Sequence, residues 1–263
     1  MAKSCENGPK WVFQLILSLH VEPIDAGIDS SIMVNDVQLG YHVENNEGSN
    51  YHVLPIPPIS FRIGYGEKIA IIGQNGVGKT TLLRVLTGDL PPINPDGSVT
   101  IGRDLRVGNM MQEHESLPRD ISPRDHVSAI VPNIQRFEGG NSLIKYGLSR
   151  YQIDQPIREL NPGARARLLL ALFAMRSVNT LFLDEPTNHL DEEAIAEVIA
   201  TVERYKGIVL IVSHDRHFLN SIKLTHTLIL THDRGLGIVE SVDSFVEGIE
   251  RAVQEVVARS FGP

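Results

Sequence analysis

The sequence predicts an α/β fold with a mainly parallel core sheet, an antiparallel β subdomain ahead of it and an α-helical insert. Three observations predict it. Short apolar runs at 68–72, 180–183 and 208–212 alternate with helical patterns, and strands that alternate with helices pair in parallel. Residues 32–39 and 59–63 instead alternate apolar with polar side chains, the pattern of half-buried antiparallel strands. From Ser122 onward helical periodicity runs on, with no strand until Asn179.

Taken in order, residues 1–30 form an irregular N-terminal extension broken by Gly8, Pro9, Pro23 and Gly27. The main domain is expected over 31–245. Its two antiparallel strands are separated by residues 42–58, polar and then proline-rich (Pro55, Pro57, Pro58), which read as an exposed loop with Tyr41 and Tyr51 at its flanks. A buried strand at 68–72 leads into the glycine-rich segment 73–81 and a helix to Thr87. A turn at 91–97, rich in proline, precedes short strands at 98–101 and 105–110. The helical insert is expected at about 118–160, with helices at 125–131 and 141–151. Asn161 is a helix cap and Pro162 suits the first helical position, so a long apolar helix starts there. A strand at 180–183, an amphipathic helix at 192–205 and a strand at 208–212 follow. An edge hairpin at 227–230 and 237–239 comes next. A closing helix is read at 242–257, so that 246–263 make up a C-terminal helix and tail.

The 263 residues are long enough to bury an ample core, and a content of 42% hydrophobic and 21% charged residues is that of an ordinary globular protein. The single Cys5 excludes an internal disulfide and suits a reducing compartment, hence a cytoplasmic location. No apolar run reaches the roughly 20 residues that span a bilayer, so no transmembrane segment is expected. Residues 11–21 read as a strand or docking segment. The net charge of −8 gives no general footprint for nucleic acid.

The chemistry is concentrated in Gly73, Gln74, Asn75, Gly76, Val77, Gly78, Lys79, Thr80 and Thr81. Here a G-x-x-x-x-G-K-[ST] pattern stands between a buried strand and a helix. Glycines let the backbone wrap phosphate oxygens closely, and the following helix presents its positive end. Lys79 would neutralise the β- and γ-phosphates, and the Thr80 hydroxyl would ligate Mg²⁺. This is the phosphate loop of a P-loop NTPase. Asp184 and Glu185 end one apolar strand and His214 follows another. With Gln112, they fall where ligands bind in parallel sheets, just past the carboxyl ends of strands. In such enzymes the first carboxylate holds the metal and the second polarises the attacking water. Metal ligation by His214, Asp215 and His217 has no further ligand cluster to support it.

Residues 73–81, Gln112, the 160–167 stretch, LFLDEPTNHLD at 181–191 and IVSHDR at 211–216 occur in the order found in ATP-binding-cassette ATPase domains. The resemblance covers roughly residues 30–240. DEPTNHLD with VSHDR resembles the ABC-F group, proteins with two cassettes and no membrane domain, and the ends of the chain are most like a second cassette. The resemblance implies ATP and Mg²⁺ as cofactors and a head-to-tail pair of cassettes, with ribosomes or translation as the target. It implies roles residue by residue. Lys79 and Thr80 handle phosphates and metal, and Gln112 senses metal and water. Asp184 supports Mg²⁺, Glu185 is the catalytic base and His214 contacts the γ-phosphate. Tyr41 stacks on adenine, with Tyr51 as the alternative.

Two features depart from the family pattern. The signature stretch, usually LSGGQ, reads Leu160-Asn161-Pro162-Gly163-Ala164. Asn161 and Gly163 are its expected contacts to the partner's nucleotide, while Pro162 has no N–H to offer. The sequence also holds one cassette, so the complete site requires a second, as a homodimer or heterodimer. The expected activity is therefore an ATPase that is weak alone. Alternatives are the ATPase subunit of a membrane transporter, or a low-turnover regulatory partner that closes on ATP.

Overall fold

The computed structural model describes residues 28–45, 48–111 and 117–239. It is an α/β protein with mainly parallel pairing and additional antiparallel strands, as the sequence predicts. Gln112, the 1–27 segment and the closing helix at 242–257 lie outside the described residues.

The described chain divides into two compact units. One contains residues 32–63, 67–100 and 210–239. Within it, β1 (Ile32–Val37) pairs antiparallel with β4 (Ile59–Ile63), and β6 (Ser98–Ile101) flanks β1 on its other side. β2 (Gly40–Asn45) and β3 (Gly48–Val53) form an antiparallel hairpin with an unbroken register from Gly40↔Val53 to Asn45↔Gly48. This hairpin replaces the exposed loop expected over 42–58. Its polar sequence hid a ladder that is held by backbone hydrogen bonds and not by an apolar stripe. β5 (Lys68–Ile72), buried along its whole length, pairs in parallel with β10 (His226–Thr231), and β10 carries the antiparallel β11 (Gly235–Val239). α1 (Lys79–Thr87) follows β5 and buries Leu82, Leu83, Val85 and Leu86. A short helix, α6 (Arg216–Asn220), belongs to the same unit.

The other unit contains residues 28–31, 64–66 and 101–209. β7 (Val107–Met110) pairs in parallel with β8 (Thr180–Asp184). The fully buried Asn179 pins their starts together, accepting the Arg106 N–H at 2.6 Å and donating to the Asp104 carbonyl at 2.8 Å. Four helices complete it: α2 (Pro123–Ile130), α3 (Arg136–Lys145), α4 (Pro162–Met175) and α5 (Glu192–Arg204). α3 stands five residues earlier than the helix expected at 141–151. Gly139 and Gly140 weaken the local helix signal, yet both are needed there. A methyl group on Gly140 would lie 2.1 Å from Arg124 Nη1, and one on Gly139 2.9 Å from Val127 Cγ1. α4 is apolar on all sides and buried almost throughout, as its sequence suggests. β9 (Ile208–Val212) carries the division: 208–209 belong to this unit and 210–212 to the other.

Candidate functional site

The segment between β5 and α1 is a closed loop. Gly73 has φ 155° and Gly78 has φ 107°, both in the region that only glycine enters freely. Space forbids a side chain at either position as well. A methyl group on Gly73 would lie 2.5 Å from the Leu230 carbonyl oxygen, and one on Gly78 would lie 2.6 Å from Leu54 Cδ1. Lys79 is the first residue of α1 and only 8% exposed. Its Nζ turns back over the loop and donates to the carbonyl oxygens of Gly73 at 2.8 Å and Gln74 at 3.0 Å. The Val77 N–H also donates to the Gln74 carbonyl, at 3.3 Å. Thr80 and Thr81 occupy the first turn of α1, where helix geometry leaves N–H groups without helical acceptors. Beside the loop is an open cavity of about 280 Å³, lined by Gly73, Gln74 and Val77 and by residues 229–233 of β10 and its turn.

In the same unit, His214 follows β9 in a tight turn. The buried Ser213 Oγ accepts the Asp215 N–H at 3.1 Å, and Asp215 caps α6 by accepting the Phe218 N–H at 3.0 Å. His214 is left exposed between these two anchors. Tyr41, on β2, is 41% exposed; its ring lies 4.9 Å from that of His52 on β3, tilted by 33°. Tyr51 is 63% exposed and pairs across the ladder with residue 42, so strand alternation sets it on the opposite face from Tyr41.

In the other unit, Asp184 is the last residue of β8 and only 1% exposed. Glu185 follows with φ 49°, left-handed for a residue with a side chain, and its carbonyl accepts the Asn188 N–H at 3.1 Å. His189 is left-handed as well, with φ 62°. Asp191 then caps α5, accepting the Ala194 N–H at 2.9 Å. The 185–190 segment is thus a strained turn between a buried strand and a capped helix. Asn161 caps α4, its Oδ1 accepting the Ala164 N–H at 2.8 Å, with Pro162 at the first helical position. A methyl group on Gly163 would touch Ala194 Cβ at 3.4 Å, so the starts of α4 and α5 are close-packed.

Sequence reasoning missed His52. Its signal was a tripeptide, Tyr-His-Val, present at both 41–43 and 51–53 and separated by a glycine-containing polar turn.

The sequence profile of the ABC transporter family matches residues 56–188, half of the chain. The chain belongs to that family. Among curated relatives, probable ATP-binding protein YheS of Escherichia coli (strain K12) is 33% identical over 192 residues, 73% of this chain and 29% of the relative. ATP-binding cassette sub-family F member 2 of Mus musculus is 36% identical over 166 residues, 62% of this chain and 26% of the relative. The chain therefore spans less than a third of the length of these relatives, and their names agree with the ABC-F resemblance of its motifs. Among solved structures, the dimeric ATP-binding cassette MJ0796 bound to ADP and Pi has 18% identity and a TM-score of 0.61, covering 80% of this chain and 99% of its own. A bacterial Atm1-family ABC exporter with ATP bound has 17% identity and a TM-score of 0.65, covering 86% of this chain and 42% of its own. These likenesses show the cassette fold. Among the described residues no helix is long and apolar enough to cross a membrane.

Proposed function

We propose that residues 31–245 form an ATP-binding cassette that holds MgATP at residues 73–81 and hydrolyses it on closing head-to-tail against a second cassette. The observation that carries this reading is Lys79, folded over its own loop onto two carbonyls. That ammonium is positioned to exchange them for phosphate oxygens, while the surrounding N–H groups take the rest of the negative charge. Membership of the ABC transporter family supports the same assignment.

Within this proposal Glu185 accepts the proton of the attacking water and His214 donates to the γ-phosphate. Gln112 senses the same water, and Tyr41 stacks on the base. The Thr80 hydroxyl and the Asp184 carboxylate are hard oxygen donors, of the kind Mg²⁺ takes alongside substrate phosphates and water. That fits a chain whose described residues include no cluster of three or more His, Cys, Asp or Glu able to hold a metal alone. The bound ion would screen the phosphate charge.

The signature stretch favours low turnover. Pro162 has no N–H, and the Oδ1 of Asn161 is engaged by the Ala164 N–H, so Asn161 Nδ2 and the Gly163 N–H are the donors this chain would lend its partner. A second cassette with a full signature would give one competent site, on this chain's Lys79–Glu185 side. We take ribosomes in the cytoplasm as the target, a reading supported by the ABC-F wording at 181–191.

Glu185→Gln, sedimented through a sucrose gradient in lysate with Mg²⁺ and ATP, tests the proposal against a Lys79→Ala control. Comigration with ribosomes that depends on Lys79 is expected. A shift to a small complex would replace ribosomes with a protein partner. No shift would refute ATP-driven closure.

A further inference from the structure

The hairpin of β2 and β3 is anchored to the phosphate loop by one of its faces. The Leu54 N–H donates to the Leu39 carbonyl at 2.9 Å, extending the ladder by one pair beyond Gly40↔Val53. Both leucines are buried, and both approach Gly78: a methyl group there would lie 2.6 Å from Leu54 Cδ1 and 3.9 Å from Leu39 Cδ1. Side chains two residues apart on a strand share a face. Tyr41 and His52 therefore stand on the Leu39–Leu54 face, one step further from the loop. That step is about 7 Å along the strands. It leaves room for the sugar that joins a base to the first phosphate.

The hairpin is also fixed in place. The Gln38 side-chain amide donates to the carbonyls of Leu54 at 3.1 Å and Ile56 at 2.8 Å, and the Ile93 N–H donates to the Gln38 carbonyl at 3.0 Å. At Gly40 a methyl group would lie 2.4 Å from the His52 carbonyl oxygen and 2.7 Å from Ile93 Cγ1, so the strands approach as only glycine allows. The two exposed rings on this framework lie 4.9 Å apart and are tilted by 33°, nearer to parallel than to edge-on. They make one shallow aromatic shelf.

We propose that His52 is a second base-contacting residue, completing with Tyr41 a two-ring shelf that selects aromatic bases of the nucleoside triphosphate. This rests on the nucleotide reading of the phosphate loop. Tyr41 alone would stack on any base; His52 widens the shelf toward a bicyclic purine and sets an imidazole beside it that can donate to or accept from its edge.

The test is calorimetric titration of MgATP and of inorganic triphosphate into the whole chain and its variants. His52→Ala is expected to weaken MgATP binding by about tenfold, within the range for loss of one aromatic platform, and to leave triphosphate binding unchanged. His52→Phe should restore most of the MgATP affinity, and Tyr51→Ala, on the opposite face, should leave it intact. Equal losses for MgATP and triphosphate, or no loss for either, would overturn the role of His52. A native chain that binds triphosphate no more weakly than MgATP would overturn the shelf and spare the phosphate loop. Binding of neither would overturn both.

Discussion

The Glu197 carboxylate accepts two hydrogen bonds from Arg167, from Nε at 2.9 Å and Nη2 at 3.2 Å, and so ties α4 to α5. The Glu197 side chain is 4% exposed and that of Arg167 is 19%. Burial raises the carboxyl pKa and Arg167 opposes it. Cutting the pair strands a half-desolvated guanidinium, so Glu197→Ala is expected to cost about 3 kcal/mol, the low end for a broken buried pair. Chemical denaturation of the two chains measures it. A cost no larger than that of an exposed surface pair would show the guanidinium reaching water.

The roles at the phosphate loop and at Glu185 separate by assay. Lys79→Ala should abolish MgATP binding. Glu185→Gln should keep binding, while single-turnover hydrolysis falls by about 100-fold or more, the usual contribution of a general base. A Glu185→Gln chain that still turned over at the native rate would remove Glu185 from the chemistry.

Repairing the signature stretch tests the partner-facing half. Asn161→Ser, Pro162→Gly and Ala164→Gln together restore donors at a developing charge, and the expected gain in a self-associating preparation is on the order of 100-fold in rate. Asn161→Ser should retain the cap, since serine caps helices about as well as asparagine. An unchanged rate under dimerising conditions would mean that the defect lies elsewhere.

Stability should fall with acid through His126. Burial pushes its imidazole below the ordinary 6.5, and Arg176 adds to that push. The unfolded chain therefore takes up the proton more readily than the folded one. The contribution of neutral His126 is complete above pH 6.5 and is lost as pH falls below it toward the lowered folded value. His126→Gln should flatten that part of the stability profile, as thermal melts across the range would show.

Much of this fold was legible because local chemistry and tertiary packing agree. Asn161 and Pro162 announced α4 to the residue, and the runs at 68–72 and 208–212 are buried on both faces as their unbroken apolar character implied. The β2–β3 hairpin was not legible, because its pairing depends on the approach of Gly40 to the His52 carbonyl and not on hydrophobic alternation. The displaced α3 has a similar cause. Its glycines are explained by the passage of Arg124, a residue twelve or more positions away that reaches across to pair with Asp154. At the candidate site, the loop glycines, Lys79 and the Asp184–Glu185 pair announced themselves by residue type and spacing. Nothing in the sequence distinguished Tyr41 from Tyr51 until the ladder register fixed their faces.

The left-handed backbone at Glu185 sets protein stability against catalysis. A side chain held at φ 49° costs on the order of 1 kcal/mol that glycine would not incur. Glu185→Gly should therefore melt at or above the native temperature while losing hydrolysis. Any laboratory selection that rewards heat resistance alone would drift toward discarding the base.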